Sequence, residues 1–141
     1  MILLDTNLVS EPLKPNADPA VLAWINAQAV ETLYLSTISL AELRFGIAAL
    51  PDDKRKENLR RSLDQRVMPV FGDRILPFSI EAADAYAELR ACARAAGKAI
   101  ATVDGYIAAI AIAHKLTVAT RDTSPFEAAG LNVINPWESC N

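Results

Sequence analysis

The sequence carries one histidine and two cysteines in 141 residues, and its 14 Lys and Arg are outnumbered by 17 Asp and Glu. Each shortage removes a class of function. His114 alone supplies too few nitrogen ligands for a zinc site, and it is read as a helix-surface or edge-of-core residue. Cys92 and Cys140 have neither metal-binding spacing nor the pattern of a disulfide framework, and both are read as thiols without a role. A formal net charge of −3 excludes a broad basic face that grips nucleic acid, because non-specific affinity grows with the number of phosphates neutralised. Any such contact must be local, made through a metal ion or a few well-placed Arg and Lys side chains. No apolar run is long enough to span a membrane, and Met1-Ile2-Leu3-Leu4-Asp5 has neither the basic start nor the length of a signal peptide. A cytoplasmic protein is therefore expected. No repeat, linker or low-complexity segment interrupts the chain.

What is present is the composition of an ordinary globular protein, 52% hydrophobic and 22% charged, which predicts one domain over residues 1–141 with a buried core. Short runs of β-formers recur at Ile2 to Leu4, Leu33 to Leu35, Arg74 to Phe78, Leu116 to Ala119 and Asn132 to Ile134, with helical patterns between most of them. Connections of that length are crossovers, so the expected fold is an α/β sandwich with a mostly parallel central sheet and helices on both faces. Ala82, Tyr86, Leu89 and Ala93 share one helical face, with Ser79 as cap and Gly97 as stop. Ile107, Ile110, Ala111 and His114 form a second stripe, in a helix beginning near Thr102. Pro19 to Ala29 and Ser39 to Leu50 read as further helices, the latter ended by Pro51. Lys54 to Val67 reads as a more polar helix with Leu59 and Leu63 on its buried side.

Ligands of open α/β sheets bind outside the carboxyl ends of the strands, so acids just past a strand are informative. Asp5 directly follows Ile2-Leu3-Leu4, and Asp122 follows a later strand. Glu42 and Asp104 fall in the first turns of helices that begin near the same edge. Taken singly, each acid has a structural explanation. Ser39-Leu40-Ala41-Glu42 fits a capping box, Asp104 suits the positive end of its helix, and Asp5 and Asp122 suit caps or Asx turns. Taken together they imply more. Carboxylates about 4 Å apart repel by roughly 4 kcal/mol per pair at an effective dielectric of about 20. A divalent cation offsets that repulsion, and Mg²⁺ or Mn²⁺ suits a site made only of oxygen ligands.

Four blocks carry a resemblance to a known family: Met1-Ile2-Leu3-Leu4-Asp5-Thr6-Asn7, Ser39-Leu40-Ala41-Glu42-Leu43, Asp104-Gly105-Tyr106-Ile107-Ala108-Ala109 and Thr120-Arg121-Asp122. In this order they resemble the signature blocks of PIN domains. The stretch from Val118 through Asn135-Pro136-Trp137 is similar to the VapC-type toxins of the FitB-like subgroup. The resemblance runs nearly end to end, with no departure at a metal-binding position. It implies a five-stranded sheet of order 3-2-1-4-5, a homodimer, and Mg²⁺- or Mn²⁺-dependent cleavage of single-stranded or looped RNA. It also implies a partner antitoxin of the VapB type that blocks the site. By the same resemblance Asp5, Glu42, Asp104 and Asp122 hold the metal directly or through its waters, while Asn7 and Thr120 orient those carboxylates by hydrogen bonds.

The expected chemistry is metal-assisted phosphodiester hydrolysis, with room for either a second ion or a general base. Arg121, beside Asp122, is a candidate phosphate contact, and Arg44 a candidate contact to RNA or the antitoxin. Lys54, Arg55, Lys56, Arg60 and Arg61 form either a solvated helix face or a local RNA-binding strip. Two other readings compete. A phosphatase of the haloacid-dehalogenase type also begins with Asp after an apolar strand, but needs a second Asp where Asn7 stands. A non-catalytic PIN-like module that only binds an antitoxin or a nucleic acid would have little use for all four acids.

Overall fold

A computed structural model of the chain describes residues 1–138, so Cys140 lies outside the described residues. The first strand, β1 (Ile2–Leu4), shows the logic of the fold in three residues, because its buried Leu3 and Leu4 belong to different cores. Neighbouring residues of a strand point to opposite faces, so a strand buried at both is covered on both sides. It pairs in parallel with β2 (Leu33–Ser36) on one side and β4 (Thr117–Ala119) on the other, Leu3 standing opposite Tyr34 and Val118. Next to β2 runs β3 (Ile75–Leu76), and next to β4 runs β5 (Val133–Ile134), again in parallel. The sheet therefore has the expected order, β3-β2-β1-β4-β5.

On one face lie α1 (Thr6–Ser10), α2 (Pro19–Ala27), α3 (Thr37–Ala48), α4 (Lys54–Ser62) and α5 (Met68–Phe71). They bury Leu8, Val21, Leu43, Ile47 and Phe71 against Leu4, Leu33, Leu35 and Ala119 of the sheet. On the other lie α6 (Ile80–Ala95), α7 (Thr102–His114) and α8 (Ser124–Ala128), with Leu89, Ile107, Ile110 and Phe126 packed on Leu3 and Val118. Burying each such side chain contributes roughly 1.5–3 kcal/mol.

The helix boundaries differ from the sequence reading in instructive ways. α3 begins at Thr37 and is capped by Ser36, whose Oγ accepts the Ser39 N–H at 3.0 Å. The proposed capping box from Ser39 to Glu42 is therefore absent, because Glu42 is already in the second turn and its carboxylate is free for other work. The polar helix over 54–67 does not end there but runs through a π turn, Leu63–Val67, into α5. Pro69 offers the reason: a proline ring crowds the carbonyl four residues back, and a wider turn makes room for it. The strand expected over 74–78 shrinks to Ile75–Leu76, since Pro77 has no N–H to extend the ladder. Ser79 caps α6 as expected, its Oγ accepting the Ala82 N–H at 3.2 Å. Gly97 adopts a positive φ of 71° after the helix. α7 is buried on more than one stripe, from Ile107 through Ala111, because α6 covers the side turned away from the sheet; His114 is exposed at its end.

Candidate metal-binding site

β1 and β4 are adjacent, yet the chain leaves β1 toward β2 on one side and reaches β4 only from the other half of the fold. Strand order reverses between them, and a crevice opens at their carboxyl ends where the two loops part. Asp5 stands there as the cap of α1, its Oδ1 accepting the Thr6 N–H at 2.8 Å and its own N–H donating to the Ala119 carbonyl at 2.9 Å. The second oxygen, Oδ2, accepts the Thr120 hydroxyl at 2.8 Å. That hydroxyl has only one proton, so its oxygen receives the remaining contacts: the Asp122 N–H at 3.1 Å and the Asn7 side-chain amide at 3.4 Å. Asn7 in turn accepts the Arg121 N–H at 3.3 Å through its Oδ1. Thr120 and Asn7 thus tie Asp5 to the loop that carries Asp122.

Glu42 reaches the same place from α3. Thr6 Oγ1 lies 2.6 Å from Glu42 Oε1 and 3.0 Å from Ser39 Oγ. With Glu42 ionised, the single Thr6 proton goes to the carboxylate and Ser39 donates to Thr6. The sequence reading gave Thr6 no role and read Ser39 only as a helix cap. The signal was available in the three-residue spacing of Ser39 and Glu42, which puts both on one face of a helix.

Asp104 lies in the first turn of α7, half-buried. Two residues on, Tyr106 anchors this turn of the helix, packing on Phe78 and Tyr86 with ring centroids 5.1 and 4.8 Å away. Gly105 eases this approach, since a Cβ there would stand a tight 3.1 Å from the Tyr86 ring.

Electrostatics report the same convergence. Burial pushes the Asp5 carboxyl up to about 6 from an ordinary 3.8, against the pull of its Thr120 and Thr6 hydrogen bonds, and the charges of Asp104 and Glu42 push it further. Asp104 is also raised, first by burial and then by Asp122 and Glu42. Among the described residues none of the four acids forms a salt bridge. Nor, among the described residues, do any three acids stand close enough together to hold a metal ion between them as placed. The acids instead ring an open crevice with oxygen donors only. That donor set fits a hard dication such as Mg²⁺, which takes one or two protein carboxylates and keeps several waters.

The candidate RNA contacts separate. Arg44 is engaged by Asp64 at 2.7 Å. Arg121 is exposed beside the crevice, its guanidinium 5.5 Å from the centre of the Trp137 ring and its carbonyl accepting the Asn135 amide at 3.4 Å. Glu11, which the sequence reading passed over, is buried behind this region, where it accepts the Asp18 N–H at 2.9 Å and pairs with Lys14 at 3.0 Å.

Comparison with known proteins agrees with this arrangement. The PIN domain family model matches residues 2–131. A protein of Sinorhizobium fredii named VapC ribonuclease Y4jK is 58% identical, over 98% of this chain and 99% of its own. Toxin FitB of Neisseria gonorrhoeae is 52% identical, over 97% of this chain and 99% of its own. The crystal structure of FitAcB from Neisseria gonorrhoeae superimposes with a TM-score of 0.95 at 51% identity, covering 99% of this chain and 100% of that one. With its crevice of four acids at the β1–β4 switch point and this end-to-end likeness, the chain belongs to the PIN-domain family, among its VapC-type, FitB-like members.

Proposed function

We propose that the protein is a Mg²⁺- or Mn²⁺-dependent endoribonuclease, the toxin of a VapBC-type pair, acting as a cytoplasmic homodimer and silenced by a VapB-type antitoxin. One observation carries this reading: carboxylates from four separate segments, Asp5, Glu42, Asp104 and Asp122, face one crevice with no basic side chain paired to them among the described residues. When bound, the dication supplies a water acidified toward hydroxide and a counter-charge for the phosphate as it is attacked. The remaining tasks fall to the chain. Asp5 and Asp104 present oxygens whose mutual repulsion favours cation capture. Thr6 holds Glu42, and Thr120 with Asn7 holds Asp5, so the donors need little rearrangement. Arg121, its guanidinium 5.5 Å from the centre of the Trp137 ring, is the side chain available to steady a phosphate at the rim.

Support for the partner comes from relatives. The solved structures similar to this chain include complexes titled FitAB and VapBC. The test pairs two measurements on the purified protein: calorimetric titration with Mn²⁺, and cleavage of single-stranded RNA with and without that ion. Binding accompanied by ion-dependent cleavage is expected. Binding without any cleavage would instead favour a non-catalytic interaction module.

A further inference from the structure

Thr6 and Glu42 border two spaces. One is the acid crevice. The other is a pocket of about 280 Å³ between α1, α3 and α4, with Leu13, Leu43, Ile47 and Leu59 among its walls and Lys14 and Arg55 beside them. Such a volume lies just below the range of small-molecule sites, and can take a group the size of a nucleobase.

Gly46 is the notable member of the lining. It sits inside α3, where glycine weakens a helix relative to alanine. Its φ is not positive, and a Cβ built on it would meet nothing within 4 Å. Neither backbone conformation nor close packing calls for glycine here, and the space it leaves opens into the pocket. Arg55 is distinctive in the same way. Its neighbours Lys56 and Arg60 are held by Asp52 and Glu57, whereas Arg55 has no salt bridge among the described residues and borders the pocket. A basic strip that looked uniform in the sequence therefore contributes one particular cation to this place.

We propose that this pocket receives the nucleobase adjacent to the cleaved phosphodiester of a single-stranded RNA, with Arg55 holding that nucleotide's outer phosphate. The proposal rests on the ribonuclease reading. Apolar walls suit the face of a base, and the positive rim suits the phosphate beyond it. The shared wall of Thr6 and Glu42 puts the pocket one step from the acids. Only an unpaired, splayed base can enter such a recess, which selects single strands and loops over duplex.

The test compares the parent with Gly46→Leu, which fills the pocket from a position with open space. Two substrates are used with Mn²⁺: bis(4-nitrophenyl) phosphate, a diester with no base, and a single-stranded RNA that the parent cuts, carrying an abasic site at each position around the cut in turn. Gly46→Leu is expected to keep the parent's melting temperature and its rate on the small diester. On RNA it should lose about tenfold in kcat/KM, the scale of one stacked base. One abasic position beside the cut should slow the parent by a similar factor and leave the variant unaffected. Should Gly46→Leu fold poorly, Arg55→Ala serves instead, with weaker RNA binding and a salt slope reduced by about 1. Equal RNA cleavage by parent and variant, or a parent indifferent to every abasic site, would overturn the pocket and leave the nuclease intact. A variant that cuts RNA normally but escapes antitoxin inhibition would assign the pocket to a protein arm, again against the proposal. A parent inert on both substrates would remove the nuclease reading, and the pocket's role with it.

Discussion

Asp5 and Glu11 stand at the two ends of α1 with little of either exposed, but Asp5 lies deep in the fold and Glu11 close to its surface, and their surroundings drive them in opposite directions. Glu11 accepts the Asp18 N–H and faces Lys14, and its carboxyl is held below the usual range. Asp5 accepts hydrogen bonds from Thr6, Thr120 and, at 3.5 Å, Asn7, but burial and the charges of Asp104 and Glu42 outweigh them. The difference separates a neutralised acid from one left without a counter-charge among the described residues. Glu11 finds its counter-charge inside the chain and fixes the loop to Asp18. Asp5 is oriented without being neutralised, so the folded protein keeps an unresolved repulsion that a dication can relieve. Sites built for function commonly give up stability in this way.

Four experiments press on that contrast, taken from the largest expected effect down. Asp5→Asn keeps the shape while removing a charged donor, and with Mn²⁺ its RNA cleavage should fall on the order of a thousandfold, or several kcal/mol of transition-state stabilisation. Full activity of that variant would break the assignment. Stability of the metal-free protein should depend on pH through the same residue. A carboxyl whose folded pKa is about 6 against an ordinary 3.8 binds its proton more tightly in the folded state. The fold is then most stable below pH about 4 as far as Asp5 is concerned, and this contribution, about 3 kcal/mol at most, is lost as pH rises through about 6. Asp104 acts in the same direction. Denaturant melts of parent and Asp5→Asn across that window should diverge, with the variant the more stable near neutral pH; parallel curves would mean that Asp5 bears no such strain.

Thr120→Val probes the hydroxyl that orients Asp5. It removes a donor to Asp5 and an acceptor for the Asp122 N–H, and should cost about 1–2 kcal/mol of stability. It should also raise the Asp5 pKa further, readable by carboxyl NMR titration, because that hydrogen bond favours the ionised form. At the other extreme, Arg60→Ala breaks the exposed pair with Glu57. No measurable shift in melting temperature is expected there. A large loss would show that the solvated face of α4 matters more to the fold than its exposure implies.

The four acids were legible in the sequence because each belongs to a short block whose spacing survives folding: an acid directly after an apolar strand, or one near a helix start. Asp5 and Asp104 come out where those blocks put them. Glu42 does so for a different reason than capping, since Ser36 had already taken that task. Thr6, Ser39 and Glu11 were not legible as site residues. Their importance lies in a partner 33 or 36 residues distant for Thr6, and in the fold of the following loop for Glu11. Arg44 looked like a free cation beside Glu42, but Asp64 meets it across the α3–α4 turn.

The sequence by itself determined the alternation of strands and helices and the strong local features, Ser79, Gly97 and the acid blocks, because such signals act over a few residues and depend on side-chain spacing alone. Which basic residue of α4 borders the crevice pocket, which hydroxyl serves which carboxylate and how far Asp5 is desolvated were decided only by tertiary structure. Those properties arise from groups distant in the chain meeting in a medium of low dielectric, where a shift of a few ångströms changes the sign of what a charge contributes.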